Sequence, residues 1–86
     1  MKLLEQIVNQ RLNRLTKDDL LRYSKQHDIT LTNQQAEKIV GLIRGKNINI
    51  FDPTERVSLI KQVATITTPT IAKKINELFQ EFTGTN

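Results

Sequence analysis

Cysteine is missing from this 86-residue chain, and only one histidine is present. No disulfide can form, no thiolate can act as nucleophile, and the ordinary structural zinc sets cannot be assembled, so neither metal nor other cofactor is expected. A chain without disulfides fits a reducing compartment, and a cytoplasmic location is the expectation. Long apolar runs are lacking too: nothing approaches the roughly 20 residues that cross a bilayer. The opening stretch "MKLLEQIVNQRLNRL" is broken by Glu5, Gln6, Asn9, Gln10 and Arg11, so it lacks a signal-peptide core, and no membrane role is expected. Tryptophan is absent, and the aromatics are Tyr23, Phe51, Phe79 and Phe82. All four sit at helix-periodic or helix-flanking apolar positions, where they serve a core better than a base-stacking platform. A domain this small, with no covalent staple, has two routes to stability: close helix packing, or burial of a face against another subunit.

The charge that is present is uneven. The net charge is +4 with a pI near 9.7. Residues 1–51 hold nine Lys/Arg against five Asp/Glu, while 52–86 hold four of each, so the whole excess lies in the first three-fifths. That balance suits a nucleic-acid partner without reaching the dense clustering that usually marks one.

Strand signals are scarce and helix punctuation recurs. Leu4, Ile7, Val8, Leu12 and Leu15 fall at helical spacing and predict an amphipathic helix over about 2–14. Thr16 is placed to cap a second helix, with Asp18 and Asp19 in its first turn, and that helix ends near His27–Asp28. Thr32 and Gln35 form a capping-box pattern ahead of a third, which Gly45 stops. Asp52-Pro53-Thr54-Glu55 opens a fourth, and Thr68-Pro69 a fifth. The fold expected is all-α: a compact orthogonal array of about five short helices in one domain, 1–86, with an extended connector at 46–51. In that connector Ile48 and Ile50 can both face the core while Asn47 and Asn49 face water. Phe51 can staple onto the next helix near Arg56 or Val57.

Catalytic chemistry finds few carriers. Tyr23, Ser24 and Ser58 offer hydroxyls, but His27 is the single imidazole that could activate one, and it reads as a helix-end residue favoured by the dipole. Lys73, Glu77 and Glu81 read as a solvated i, i+4 ladder. "GLIRGK" at 41–46 fails as a phosphate loop: it has one residue too few between Gly41 and Gly45-Lys46, Asn47 replaces the Ser/Thr, and it ends a helix instead of following a strand. Asp52 occupies the helix start that an anion would need. No enzyme is expected.

Two contact surfaces remain. Arg22 and Lys25 share a solvent side of the second helix, and Arg44, Lys46 and Arg56 surround the connector; together they are the candidate nucleic-acid contacts within the basic stretch 11–56. Ile71, Ile75, Leu78, Phe79 and Phe82 form a continuous helical stripe that either closes the core or docks on a protein partner or a second copy. A protein-interaction role leads, and nucleic-acid binding is the alternative.

Residues 15–43, "LTKDDLLRYSKQHDITLTNQQAEKIVGLI", resemble the helix–extended–helix pattern of SAP- and LEM-type DNA or chromatin modules. Leu15, Leu20, Tyr23 and Ile29 stand where those modules place their first apolar set; Ala36, Glu37 and Leu42 correspond to the second. Asn33, Gln34 and Gln35 depart from the small residue and lysine usual at the second helix start. That resemblance implies a DNA surface near Thr32–Gln35, Arg22 and Lys25. Over nearly the whole chain, "LTKDDLLRYS", "QQAEKIVGLI" and above all "RGKNINIFD" resemble the YqfT-like family of small, uncharacterised proteins from Bacillus-type bacteria. This implies a bacterial, cytoplasmic setting and assigns no site residues.

Overall fold

The backbone is described here for residues 2–83, and side chains for 3–81, in a computed structural model. Five helices follow one another: α1 (Lys2–Asn13), α2 (Lys17–Gln26), α3 (Asn33–Ile43), α4 (Pro53–Ile66) and α5 (Pro69–Thr83). No strand occurs among the described residues. The fold is all-α, with a radius of gyration of 11.9 Å, against about 12 Å expected for a compact chain of this length.

Capping residues set the helix boundaries. Thr16 Oγ1 accepts from Asp19 N at 3.1 Å while Asp19 Oδ2 accepts from Thr16 N at 3.4 Å, closing a capping box at α2. Thr32 and Gln35 do the same for α3, both bonds at 3.0 Å. At α4, Asp52 Oδ1 accepts from Thr54 N at 3.0 Å, and Pro53 fills the first helical position without leaving an orphan donor. Thr68 Oγ1 caps α5 through Ile71 N at 3.1 Å. The end of α2 is a Schellman turn: Ile29 N donates to Ser24 O at 2.8 Å and Asp28 N to Lys25 O at 3.4 Å. Asp28 there takes the left-handed conformation, φ 57°, usually left to glycine.

The core is one cluster drawn from every helix and both long links. Ile39, Ile43, Ile50, Leu59, Val63 and Ile75 are its fully buried aliphatics. Their burial is worth about 1.5–3 kcal/mol each before chain entropy is counted. α4 packs on α5, and α3 lies between α2 and α4. Among the described residues no comparably broad contact joins α1 to another helix. It enters the core through Leu12 and Leu15, with Val8 half-buried beside them.

Polar bonds to the connector secure α1 further. Asn13 accepts twice: its backbone carbonyl from Gly45 N at 3.1 Å and its side-chain Oδ1 from Asn47 N at 3.0 Å. Asn9 Oδ1 accepts from Ile50 N at 3.2 Å, and Asn9 Nδ2 donates to Asn49 Oδ1 at 3.0 Å. Asn49 Oδ1 also accepts from Phe51 N at 3.1 Å, and Asn49 N donates to Glu55 Oε1 at 3.2 Å. Residues 46–51 are therefore more folded than a simple extended run. The chain turns through Arg44–Asn47, where Gly45 (φ 75°) and Asn47 (φ 53°) are left-handed, and turns again at Ile50–Phe51. Ile48 and Ile50 still meet the core, the first half-buried and the second fully. Glu55, in the first turn of α4, reaches back to Asn49 N. Phe51 packs on the core cluster, while Val57 remains 49% exposed.

Candidate functional site

The expected buried face of α1 is only half used. Leu12 and Leu15 are buried, but Leu4 and Ile7, at the same helical spacing, are 59% and 43% exposed, and Leu3 is 68% exposed. The reason lies in the tie to the connector. Asn9 and Asn13, four residues apart, place one face of α1 on residues 45–50, while Leu3, Leu4 and Ile7 in the first two turns stay exposed.

Beside those turns runs an apolar groove of about 640 Å³ between α1, α2 and the C-terminal half of α5. Its walls are Leu4, Ile7 and Val8 on one side and Tyr23 on the other; Leu12, Leu15, Leu20, Leu78 and Phe79 are the buried side chains beneath. Three arginines border it: Arg11, Arg14 and Arg22. Arg22 is already engaged, with Nη2 2.8 Å from Asp19 Oδ1 and its guanidinium 5.5 Å from the Tyr23 ring centre. Among the described residues, Asp19 is the one carboxylate on the border. Its pKa lies below the usual carboxylate value, chiefly because of the Thr16 hydroxyl; desolvation opposes this, and the Thr16 N–H and Arg22 add to the lowering. Among the described residues the guanidinium groups of Arg11 and Arg14 have no hydrogen-bond or ion-pair partner.

The residues singled out by sequence fall differently. Ile75, Leu78 and Phe79 are buried within the chain and Ile71 is half-buried, so this part of the α5 stripe is occupied by the fold itself. Phe82's side chain lies outside the described residues. The five cationic candidates do not converge on one described hollow. Arg22 borders the groove, and Lys25 lies beside a separate hollow with Leu21, Ser24 and Leu31. Arg56 turns inward, its Nη1 donating to Ile50 O at 3.2 Å. Arg44 and Lys46 are exposed at the end of α3.

The hydroxyls and the imidazole are likewise placed apart from any shared site. Ser24 is buried, with no partner for its hydroxyl among the described residues. His27 Nδ1, at the C-terminal cap of α2, stands 3.5 Å from Glu81 Oε2 on α5. No group of three or more His, Asp or Glu residues among those described could hold a metal ion. No described helix is long and apolar enough to cross a membrane.

Comparison with known proteins agrees with the sequence resemblance. The model of a family described as "Protein of unknown function (DUF2624)" matches residues 1–83. The chain belongs to this family. A relative, "Uncharacterized protein YqfT" of Bacillus subtilis (strain 168), is 53% identical over 84 residues, which is 98% of this chain and 100% of that one. No solved structure matches. DUF2624 membership names no activity and no site residue, so any functional reading of this member rests on its geometry.

The groove had a signal in the sequence that was read only for its apolar half. Asn9 reads at first as one of the interruptions of a hydrophobic run, and Asn13 follows it by four residues. Two side-chain amides four residues apart on one helix face, with Asn47 and Asn49 two apart in a connector, are equally a pattern for docking one segment on another.

Proposed function

We propose that this chain is a non-enzymatic module that works by binding another protein, and that the groove between α1 and α2 is its contact face. One observation carries the reading: two large apolar side chains, Leu4 and Ile7, are exposed together at an apolar groove that they line, and their sequence neighbour Leu3 is exposed as well. Scattered exposed leucines are ordinary on a soluble protein, whereas a contiguous apolar patch bordered by polar groups is characteristic of an interaction surface. The groove also has the concave, mostly apolar character that helix-in-groove recognition uses.

The test is photo-crosslinking in the cell that makes the protein, with a photoreactive residue replacing Ile7 and, as control, Thr54, which is exposed on α4. A discrete adduct from position 7, lost on adding Leu4→Glu and absent from position 54, supports the reading. Equal labelling from both positions refutes it.

Nucleic-acid binding through residues 11–56 is kept as a second reading, favoured by the exposure of Lys25, Arg44 and Lys46 without ion-pair partners among the described residues. Salt separates the two. Phosphate contacts weaken steeply as salt rises, while an apolar interface changes little. Amide shifts at Lys25, Arg44 and Lys46 on adding mixed-sequence DNA or RNA duplex at low salt, fading at physiological salt, would favour this second reading.

A further inference from the structure

We infer that the occupant of the groove is an amphipathic helical segment of a partner protein, at least two turns long, with acidic residues flanking its apolar face. The inference rests on the protein-binding reading above and gives it a chemistry.

Length follows from the wall. The groove is bordered on α1 from Leu4 to Leu12, eight residue steps, which at about 1.5 Å per residue is roughly 12 Å, a little over two helical turns. A helix of that length presents apolar residues at i, i+3, i+4 and i+7, a stripe that a groove of this extent can receive.

Charge follows from the border. Three guanidinium groups face one carboxylate, and that carboxylate is taken by Arg22 and the Thr16 cap. Arg11 and Arg14 are left to meet the polar flank of whatever docks. Rim charges of this kind select partners by complementarity and speed encounter. A second copy of the chain is the poorer occupant, because it would bring the same three arginines to the same border. A bilayer is poorer as well: four of the apolar side chains at this site, Leu12, Leu15, Leu20 and Phe79, are recessed and buried, where a flat acyl surface cannot reach them.

The experiment titrates the full chain with three synthetic helical peptides of identical leucine pattern whose polar positions are all Glu, all Gln or all Lys. Phosphatidylglycerol vesicles form a fourth arm, and sedimentation of the chain alone a fifth. The Glu peptide is expected to shift the amides of Leu4, Ile7, Leu20 and Tyr23. Two or three rim ion pairs should give it about a tenfold advantage over the Gln peptide, and Arg11→Gln with Arg14→Gln should remove that advantage. Both arginines are exposed, so this double variant leaves the core intact, and an unchanged thermal melt checks it. Equal binding of the Glu and Gln peptides, tighter binding of the Lys peptide, preferential vesicle binding, or a dimer that Ile7→Glu dissociates would each overturn the inference. The position-7 crosslink stays independent of these peptides. An adduct there together with peptide failure means the partner chemistry is wrong; no specific adduct means the docking face itself is wrong.

Discussion

Replacing Asn9 with alanine tests the account of how α1 is held. Asn9 is half-buried and makes two bonds to the connector, accepting from Ile50 N at 3.2 Å and donating to Asn49 Oδ1 at 3.0 Å. Ile50 is fully buried, so its N–H has no ready access to water once Asn9 is removed. Leaving a buried donor unpaired costs about 1–3 kcal/mol, and the lost amide–amide bond adds about 0.5–1.5. Alanine returns up to about 0.7 kcal/mol through better helix propensity. The net loss centres near 2 kcal/mol, within about 1–4. A domain of this size has a total stability of roughly 4–13 kcal/mol, so Asn9→Ala should still fold. Its melting temperature should fall by roughly 8–16 °C.

The assay is thermal and urea unfolding followed by helical circular dichroism, with amide exchange at Ile50 as the local readout. Gln10→Ala, one residue along on the exposed side of α1, is the control and should stay within about 0.5 kcal/mol of wild type. Because Asn9 bonds to Asn49, the pair Asn9→Ala and Asn49→Ala should lose less together than the sum of their separate losses. An Asn9→Ala protein that melts with Gln10→Ala, and whose Ile50 amide exchanges no faster than in wild type, would show that the connector does not hold α1 in this way.

Three other expectations are simpler. Gly45→Ala should destabilise by about 1–2 kcal/mol and Asp28→Gly should stabilise by about as much. Both positions are left-handed, and a Cβ at Gly45 would meet nothing within 4 Å, so backbone conformation alone sets the cost. Paired urea midpoints check this. Ser24→Ala should be neutral or stabilising, by up to about 1 kcal/mol, since it removes a buried hydroxyl without a described partner; a loss above that would show that the hydroxyl is bonded. For Asp19 the folded pKa lies below its ordinary 3.8, so its contribution is fully present above that value and is lost as pH falls through the folded pKa. The stability gap between wild type and Asp19→Asn, measured in urea, should therefore be present at neutral pH and close well below pH 3.8; a gap that persists there refutes the assignment.

Local signals in the sequence were read well because they depend on neighbours within one turn. Thr16, Thr32, Asp52 and Thr68 each cap a helix, and the end of α2 falls at His27–Asp28 as its spacing suggested. What escaped depended on contacts distant in sequence. The apolar period of α1 does not say that Leu12 and Leu15 are covered while Leu4 and Ile7 are left open, because that division is set by residues 45–50. Equally, the period of the α5 stripe does not say by itself that Ile75, Leu78 and Phe79 are buried within the chain while Ile71 is half-buried. Glu55 stands in the first turn of α4, and its bond to Asn49 N, outside that helix, is another contact its helix-start pattern does not announce.

The tie between α1 and the connector also orders the assembly of the fold in time. α2 meets α3, and α4 meets α5, across short links, so those pairs close at little entropic cost. Asn9 and Asn49 are 40 residues apart, and their pairing must wait for a long loop to close. Docking of α1 is then expected to follow those pairings, and amides of α1 are expected to exchange at a free energy below that of global unfolding. One wall of the groove is α1, so the groove exists only in molecules that have completed this step. A segment bound there would draw the open form back to the closed one and stabilise the whole chain in proportion to its concentration.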